Sequence, residues 1–453
     1  MNNKLSHFGL LLDLTPSVFI RISAFLTILL LGTSCSSIKR TNRKIEKQFN
    51  ESAIFQKGFA GLAVYDPEED KMLYEHNSGK YFTPASNTKL FTLYTGLVIL
   101  EDSLKALEYS IKGDSLIFKG TGDPSLLNPD LPESKIYNFL KQSPYQLFYA
   151  PPKYQEKSLG PGWAWDDYDS YYSAEKIDLP IYGNLIQLTF SGNNAPKVSP
   201  EILQDSVQQV AAFFPENKYA QRELSSNKIT YQAYDRGEKW TQQVPFKFSE
   251  ELIASLLTDT LKKPVAIYKD EMKDLEFDKT LYSIPSDSIY KRMMQVSDNF
   301  IAEQILLMAA GKISDTLKTN IAIKHMKEKH LQDLPDEPMW IDGSGLSRYN
   351  LFTPRTMVKL IEKIEAKKPK EELFQILAAG GESGTLKNYY HAETPYIYAK
   401  TGTLRNNHSL SGFLLTQSGK TLIFSFMNSN YTVPTYDLKK AMVRILGQIR
   451  DNY

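Results

Sequence analysis

The chain has 453 residues, enough for two or three domains around a large buried core. Its 53 basic and 52 acidic side chains nearly cancel, so no global field recruits nucleic acid, and 27 Tyr with 23 Phe argue against a disordered chain. Its single cysteine, Cys35, excludes a disulfide framework, and beyond it no residue can act as a thiol nucleophile or thiolate ligand.

The first element is FIRISAFLTILLLGTSCSS (19–37): Arg21, an apolar run, small residues, then Cys35. An apolar stretch so short and so flanked suits an export signal over 1–35 better than a membrane span. LLGTSC resembles a bacterial lipoprotein box. That resemblance implies lipid attachment at Cys35 and a lipid anchor in a membrane, on the periplasmic face of the cell envelope. An ordinary signal peptide with an incidental cysteine, or an uncleaved anchor, is the plainer alternative. SSIKRTNRKIEKQFNES (36–52) is polar and basic, and residues 36–54 read as a tether or linker.

GFAGLAVYD (58–66) and KMLYEH (71–76), separated by PEED, read as a β-hairpin. Leu90, Leu93, Tyr94, Leu97, Val98 and Leu100 then recur at helical spacing, with Thr83 as candidate cap and Pro84 in the first turn. From 104 to 283 short strands alternate with turn-rich segments, and FSEELIASLLTDTL (248–261) is the one helical pattern there. Helix signals return at 286–311. YIYAKTGTL (396–404), SLSGFLLT (409–416) and TLIFSFMN (421–428) read as three strands, and TYDLKKAMVRILGQI (435–449) as a closing helix. This order predicts an α+β fold: an antiparallel sheet flanked by helices, assembled from 55–103 plus 284–453, with a mainly β insert over 104–283.

The candidate chemistry starts at Ser86, in PASNTKLFT. S-x-x-K occurs five times, at Ser36, Ser86, Ser173, Ser225 and Ser288, but only Ser86 opens a strongly periodic apolar helix. Lys89 lies one turn on, on the same face. A serine hydroxyl needs a base to become a nucleophile, and lysine is a base only as the free amine. From a reference pKa near 10.4, holding it neutral at pH 7 costs roughly 4–5 kcal/mol. Burial or a second cation lowers that cost, so a Ser/Lys pair predicts another lysine nearby. Lys400-Thr401-Gly402, the one K-[ST]-G in the chain, supplies it on a strand. Lys400 and Thr401 suit a substrate carboxylate. Gly402 would let substrate backbone approach, and Thr403 would share an oxyanion hole with the Ser86 N–H. Ser297-Asp298-Asn299 is the third piece, at the start of the stretch NFIAEQILLM, which reads as amphipathic. Ser297 would relay a proton between Lys89 and the leaving group, and Asn299 would bond substrate amide or the lysine.

S-x-x-K, S-D-N and K-T-G in this order resemble the three motifs of the penicillin-recognising serine acyl transferases. The long gap between Lys89 and Ser297 narrows the resemblance to the D-alanyl-D-alanine carboxypeptidase/endopeptidase family, the low-molecular-mass class C penicillin-binding proteins. GTGDPSL (120–126), GPGWAWDD (160–167), VSDNFIAEQ (296–304), DGSGLSRYN (342–350) and GGESGTLKN (380–388) carry it too. The resemblance implies a transpeptidase/β-lactamase-like domain that cleaves peptidoglycan stem peptides through an acyl-enzyme on Ser86, with β-lactams as inhibitors. Asp342, Ser344 and Arg348 then divide between a structural and a functional reading. A β-lactamase or esterase on the same fold, or a non-catalytic envelope binding module, are the competing readings. Six scattered histidines without H-E-x-x-H give no reason to expect a metal, and SGKT (418–421) lacks the upstream glycine of a phosphate loop. No cofactor and no nucleic-acid partner are expected.

Overall fold

Six strands from both ends of the chain form one antiparallel sheet. Their order is Ala378–Ala379, Ile397–Leu404, Asn407–Leu415, Thr421–Ser429, Phe59–Asp66 and Lys71–His76. The structure is a computed structural model and describes residues 38–152, 156–157, 159–192, 194–211, 219–233, 236–269 and 275–453. Cys35 and the export segment lie outside the described residues. Among the described residues no helix is long and apolar enough to cross a membrane.

The middle strands are apolar on both faces because helices cover both. Ala63, Phe413, Ile423 and Met427 face the core shared with helices Lys89–Ile99, Asn299–Ser314 and Pro354–Glu365. Leu62, Val64, Leu410, Leu422, Phe424 and Phe426 face the closing helix Thr435–Asn452.

The second face corrects the tether reading. Residues 38–51 are helical, and Ile45 and Phe49 are buried in the same core. Ile38, Thr41, Ile45 and Phe49 recur at three and four residues, so one stripe docks while Lys39, Arg40, Arg43, Lys44 and Lys47 face water. Phe49 stacks on His76 at 4.2 Å, and the Asn42 amide donates to the Leu73 carbonyl at 3.0 Å. Basic composition suggested a linker, but the apolar spacing decides. Phe49→Ala is expected to cost about 3–5 kcal/mol, read as a lowered melting temperature. Lys44→Ala, on the wet face, should stay within about 0.5 kcal/mol.

Within 104–283 the five strands Val265–Ile267, Gln146–Tyr149, Ser115–Gly120, Ser103–Lys112 and Lys279–Pro285 form a second sheet in that order. Its first three strands are parallel, and the two connections between them are crossovers that include helix Lys135–Gln142 and helix Glu250–Leu261. Helix Lys135–Gln142 went unread in the sequence because eight residues show only two turns of periodicity. Phe118, Tyr149, Ile186, Phe190, Phe246 and Leu257 belong to a hydrophobic cluster confined to this region. Leu104 and Ile284, at its two ends, instead join the core under the first sheet.

Two local expectations change. The apolar helix begins at Lys89, behind a 3-10 turn Ala85–Thr88 that no side chain caps, so Thr83 has no capping role. The helical stretch 286–311 is two helices, Ser286–Gln295 and Asn299–Ser314, broken where Ser297 takes φ +65°. The second helix is not amphipathic. It is buried on all sides from Phe300 to Ala310, between the sheet's core and the insert, where the Gln304 amide donates to the Gly122 and Ile177 carbonyls.

Candidate active site

Ser86 sits in the 3-10 turn between helix Lys89–Ile99 and the edge of the sheet. Two glycines let that turn in. A Cβ on Gly402 would lie 2.3 Å from the Pro84 carbonyl oxygen and 2.9 Å from the Ser86 nitrogen. One on Gly345, at φ +84°, would lie 2.0 Å from the Ala85 oxygen. Asn87 clamps the turn to the neighbouring strands by donating to the Lys400 carbonyl at 2.8 Å and the Ser409 carbonyl at 3.3 Å. Gly402 therefore makes room for the chain's own Ser86 turn, where its motif suggested room for substrate backbone.

Lys89 is wholly buried, and its Nζ has three partners. It lies 2.6 Å from Asn299 Oδ1, 2.6 Å from the Ser344 carbonyl oxygen and 3.1 Å from Ser86 Oγ. The first two can only accept, so they take two N–H bonds. The third direction meets a hydroxyl that can donate as well as accept. The set accommodates both protonation states: the ammonium donates its third N–H to Ser86 Oγ, and the neutral amine can accept the Ser86 proton there. Burial pushes the Lys89 ammonium down to about 8, against the carboxylates of Asp342, Asp298 and Glu303, which pull it up. The free amine at pH 7 then costs on the order of 1–2 kcal/mol instead of the 4–5 of an exposed lysine.

Lys400 is equally buried, and burial, then the nearby Lys89 charge, holds it far below the usual lysine range. Desolvation thus does most of what the sequence assigned to a second cation, and the mutual repulsion falls on Lys400. Lys400 Nζ donates to Ser297 Oγ at 2.9 Å. Ser297 is therefore joined to Lys400 and not to Lys89, which changes the expected relay. Asn299 bonds the lysine, as one of its two expected roles had it, and its Nδ2 donates to the Tyr172 carbonyl of the insert at 3.0 Å.

Beyond Ala399 the strand Ile397–Leu404 has no strand on its outer side. That edge leaves backbone groups for a ligand. Thr401 Oγ1 donates to Thr385 Oγ1 at 2.7 Å, and Thr403, which is exposed, pairs its hydroxyl with His408 Nδ1 at 2.8 Å. Burial pushes His408 down to about 3, so its ring is neutral. Ser86, Ser297 and Thr403 reach the cleft surface while both lysines stay dry behind them. Hydroxyls on the wet side and desolvated amines on the dry side are what proton transfer to and from a serine requires.

The loop 342–350 divides as follows. Asp342 accepts from the Gly345 and Ser347 amides at 2.9 and 2.7 Å, the Asn350 amide at 2.7 Å and the Trp163 indole at 2.9 Å, so it organises the loop. Ser344 contributes its carbonyl to Lys89. Arg348 is exposed, its backbone N–H bonded to the Gly162 carbonyl at 3.1 Å. Sequence reasoning missed Asn87, Thr385 and Gly345 as parts of the site. Each lies beside a motif but carries no pattern of its own.

The model of the D-Ala-D-Ala carboxypeptidase 3 (S13) family matches residues 41–449. The chain is 24% identical over 442 residues to the D-alanyl-D-alanine carboxypeptidase DacB of Haemophilus influenzae, covering 87% of this chain and 90% of that one. It is 25% identical over 444 residues to a D-alanyl-D-alanine carboxypeptidase of an Actinomadura species, covering 85% and 80%. Among solved structures, penicillin binding protein 4 (dacB) of H. influenzae superposes with a TM-score of 0.68 at 20% identity, over 88% of this chain and 97% of that one. A second structure of that protein, complexed with a β-lactam, gives 0.65 at 17% identity, over 88% and 99%.

Proposed function

The chain belongs to the D-Ala-D-Ala carboxypeptidase 3 (S13) family, and on that premise we propose a serine DD-peptidase cycle on peptidoglycan stem peptides with Ser86 as nucleophile and Lys89 as its base. The observation that carries these roles is the three-partner shell of Lys89: two oxygens that can only accept, and Ser86 Oγ at 3.1 Å in the third direction.

In this reading the Lys89 amine takes the Ser86 proton as Oγ attacks the carbonyl of the penultimate D-alanine. The N–H groups of Ser86 and Thr403 hold the oxyanion. As the C–N bond breaks, the leaving amine takes the Ser297 hydroxyl proton, and Ser297 is reprotonated by Lys400 Nζ at 2.9 Å. Water then attacks the ester and gives a proton back through Ser297 to Lys400, while Lys89 returns the first proton to Ser86 Oγ as the ester C–O bond breaks. Thr401 and Thr403 receive the terminal carboxylate, with the Thr385 hydroxyl beside them and Lys400 buried behind. Removal of a terminal D-alanine and hydrolysis of a D-alanyl-diaminopimelyl cross-link break the same kind of bond, and both fall within the proposal. β-Lactams acylate Ser86 as mimics of the same carbonyl.

The unit boundaries 55–103 plus 284–453 for the catalytic part and 104–283 for the insert are part of the proposal, with helix 38–51 added to the first. So is lipid attachment at Cys35. Residue 38, the first described and three positions after Cys35, is already helical, and 38–51 packs on the sheet, so an anchored enzyme would sit close against its membrane on the periplasmic side.

Fluorescent penicillin, with muropeptides as parallel substrate, tests the reading. The wild type is expected to give a stable label and release D-alanine, and Ser86→Ala to lose both by at least about 10³-fold. Labelling that survives Ser86→Ala would identify another serine. Rapid turnover of the label would mark a β-lactamase, and neither label nor release from the wild type would leave a binding module.

A further inference from the structure

Glu303 lies four residues into helix Asn299–Ser314, wholly enclosed, with no route to substrate. Its Oε1 accepts from the Gly343 N–H at 3.0 Å and the Ser344 N–H at 2.8 Å. The Gly343 carbonyl on the other side of that peptide accepts from Thr92 Oγ1 at 2.7 Å. The next carbonyl, that of Ser344, is the one 2.6 Å from Lys89 Nζ. A Cβ on Gly343 would meet the Ala302 carbonyl oxygen at 2.6 Å, so the loop presses directly on this helix. The second oxygen, Oε2, has no hydrogen-bond partner and faces the buried Lys176 ammonium of the insert at 3.9 Å. Lys176 in turn lies 3.1 Å from Glu156.

We propose that Glu303 is a positioning residue for acylation: it fixes the 343–344 backbone so that the Ser344 carbonyl and the Ser86 hydroxyl address Lys89 together, and through Lys176 it ties that register to the insert. The inference rests on the Ser86/Lys89 reading above. Two acceptors must hold Lys89 for its lone pair to point at Ser86. Asn299 is fixed by its own helix and by Tyr172. Ser344 stands on a loop, and a loop carbonyl keeps its direction only if the adjoining amides are held. A buried carboxylate accepting two N–H bonds is a stronger tie than any neutral side chain would make there.

The charge matters as well as the bonds. The charged groups surrounding the site are Lys176 and Glu156 from the insert, Asp342 from the loop, Asp298 at the helix start, Lys89, and Lys400 beyond it. Burial pushes the Glu303 carboxyl up to about 7; Lys176 opposes this and Asp342 adds to it. When ionised, Glu303 favours the Lys89 ammonium. Removing its charge while keeping an acceptor should therefore make the free amine easier to form, at a lower pH.

The test uses the full chain, with acylation by labelled penicillin followed from about pH 5 to about pH 10 and normalised to the folded fraction. Glu303→Ala loses both amide bonds and is expected to acylate about 100-fold more slowly at every pH. Glu303→Gln keeps an acceptor for both amides. It is expected to recover most of the rate and to move the acid limb of the profile to lower pH. Wild-type rates in Glu303→Ala, or equal slowing in both variants, would overturn the proposal. If Glu303→Ala does not fold, the Glu303→Gln limb decides alone, and an unshifted limb overturns it. A wild type that takes no label would instead fail the parent reading.

Discussion

Lys89→Met is expected to slow acylation by penicillin about 10⁴-fold and leave a folded protein. Among the described residues no other buried base is bonded to Ser86: Lys400 is engaged with Ser297 and the Thr401 carbonyl, and His408 is bonded to Thr403. Without the amine, Ser86 must lose its proton to water. The fold survives because two effects oppose each other. Methionine orphans Asn299 Oδ1 and the Ser344 carbonyl, at about 1–3 kcal/mol each. It also removes an ionisable group whose desolvation was costly in the first place. In the wild type the sign of the pH dependence follows from the lowered Lys89 value. The protonated lysine cannot act as base, so acylation should rise with pH through the region of about 8 where the amine forms. Stopped-flow labelling across pH measures both effects. A Lys89→Met rate within tenfold of wild type would remove Lys89 from the role of base.

Gly345→Ala should damage the site more than the fold. At φ +84° any L side chain is strained by about 1–2 kcal/mol, and the overlap with the Ala85 oxygen adds about 1–3 kcal/mol. The atoms in the way are backbone, so relief must come from moving the loop or the nucleophile turn. Either movement takes Ser86 or the Ser344 carbonyl off Lys89, and a displacement near 1 Å costs about 10²-fold in rate. The expected result is a lowered melting temperature together with acylation at least 100-fold slower per folded molecule. Gly419→Ala is the matched control. It shares the strain, at φ +90°, but has nothing within 4 Å, so it should lose a little stability and no acylation rate. Equal acylation in the two variants would mean that the turn tolerates displacement.

Much of this architecture was legible because it is written in short-range patterns. The hairpin at 58–76, the helix after Ser86, the three late strands and the closing helix each announce themselves by spacing within a dozen residues, and each is present. The break in 286–311 was not legible. Ser297 takes a left-handed backbone that nothing in VSDNF requires, and the protein holds it there through Lys400, more than a hundred positions away. Helix 38–51 was misread for a different reason. Five cations outweigh a stripe of Ile38, Thr41, Ile45 and Phe49 in any count of composition, but burial depends on the stripe.

The sequence by itself singled out the candidate reactive groups, one serine, two lysines and the asparagine between them, since bond-making chemistry needs those residue types at those spacings. What it left to the tertiary structure was how strongly each group is tuned and which partner each one takes. Burial brings Lys89 toward its free amine, Ser297 pairs with Lys400, Gly402 admits the Ser86 turn, and Glu303 reaches Lys89 through a loop. All four depend on the distance between segments far apart in the chain and on the water excluded when they meet. Neither quantity exists until the chain has folded.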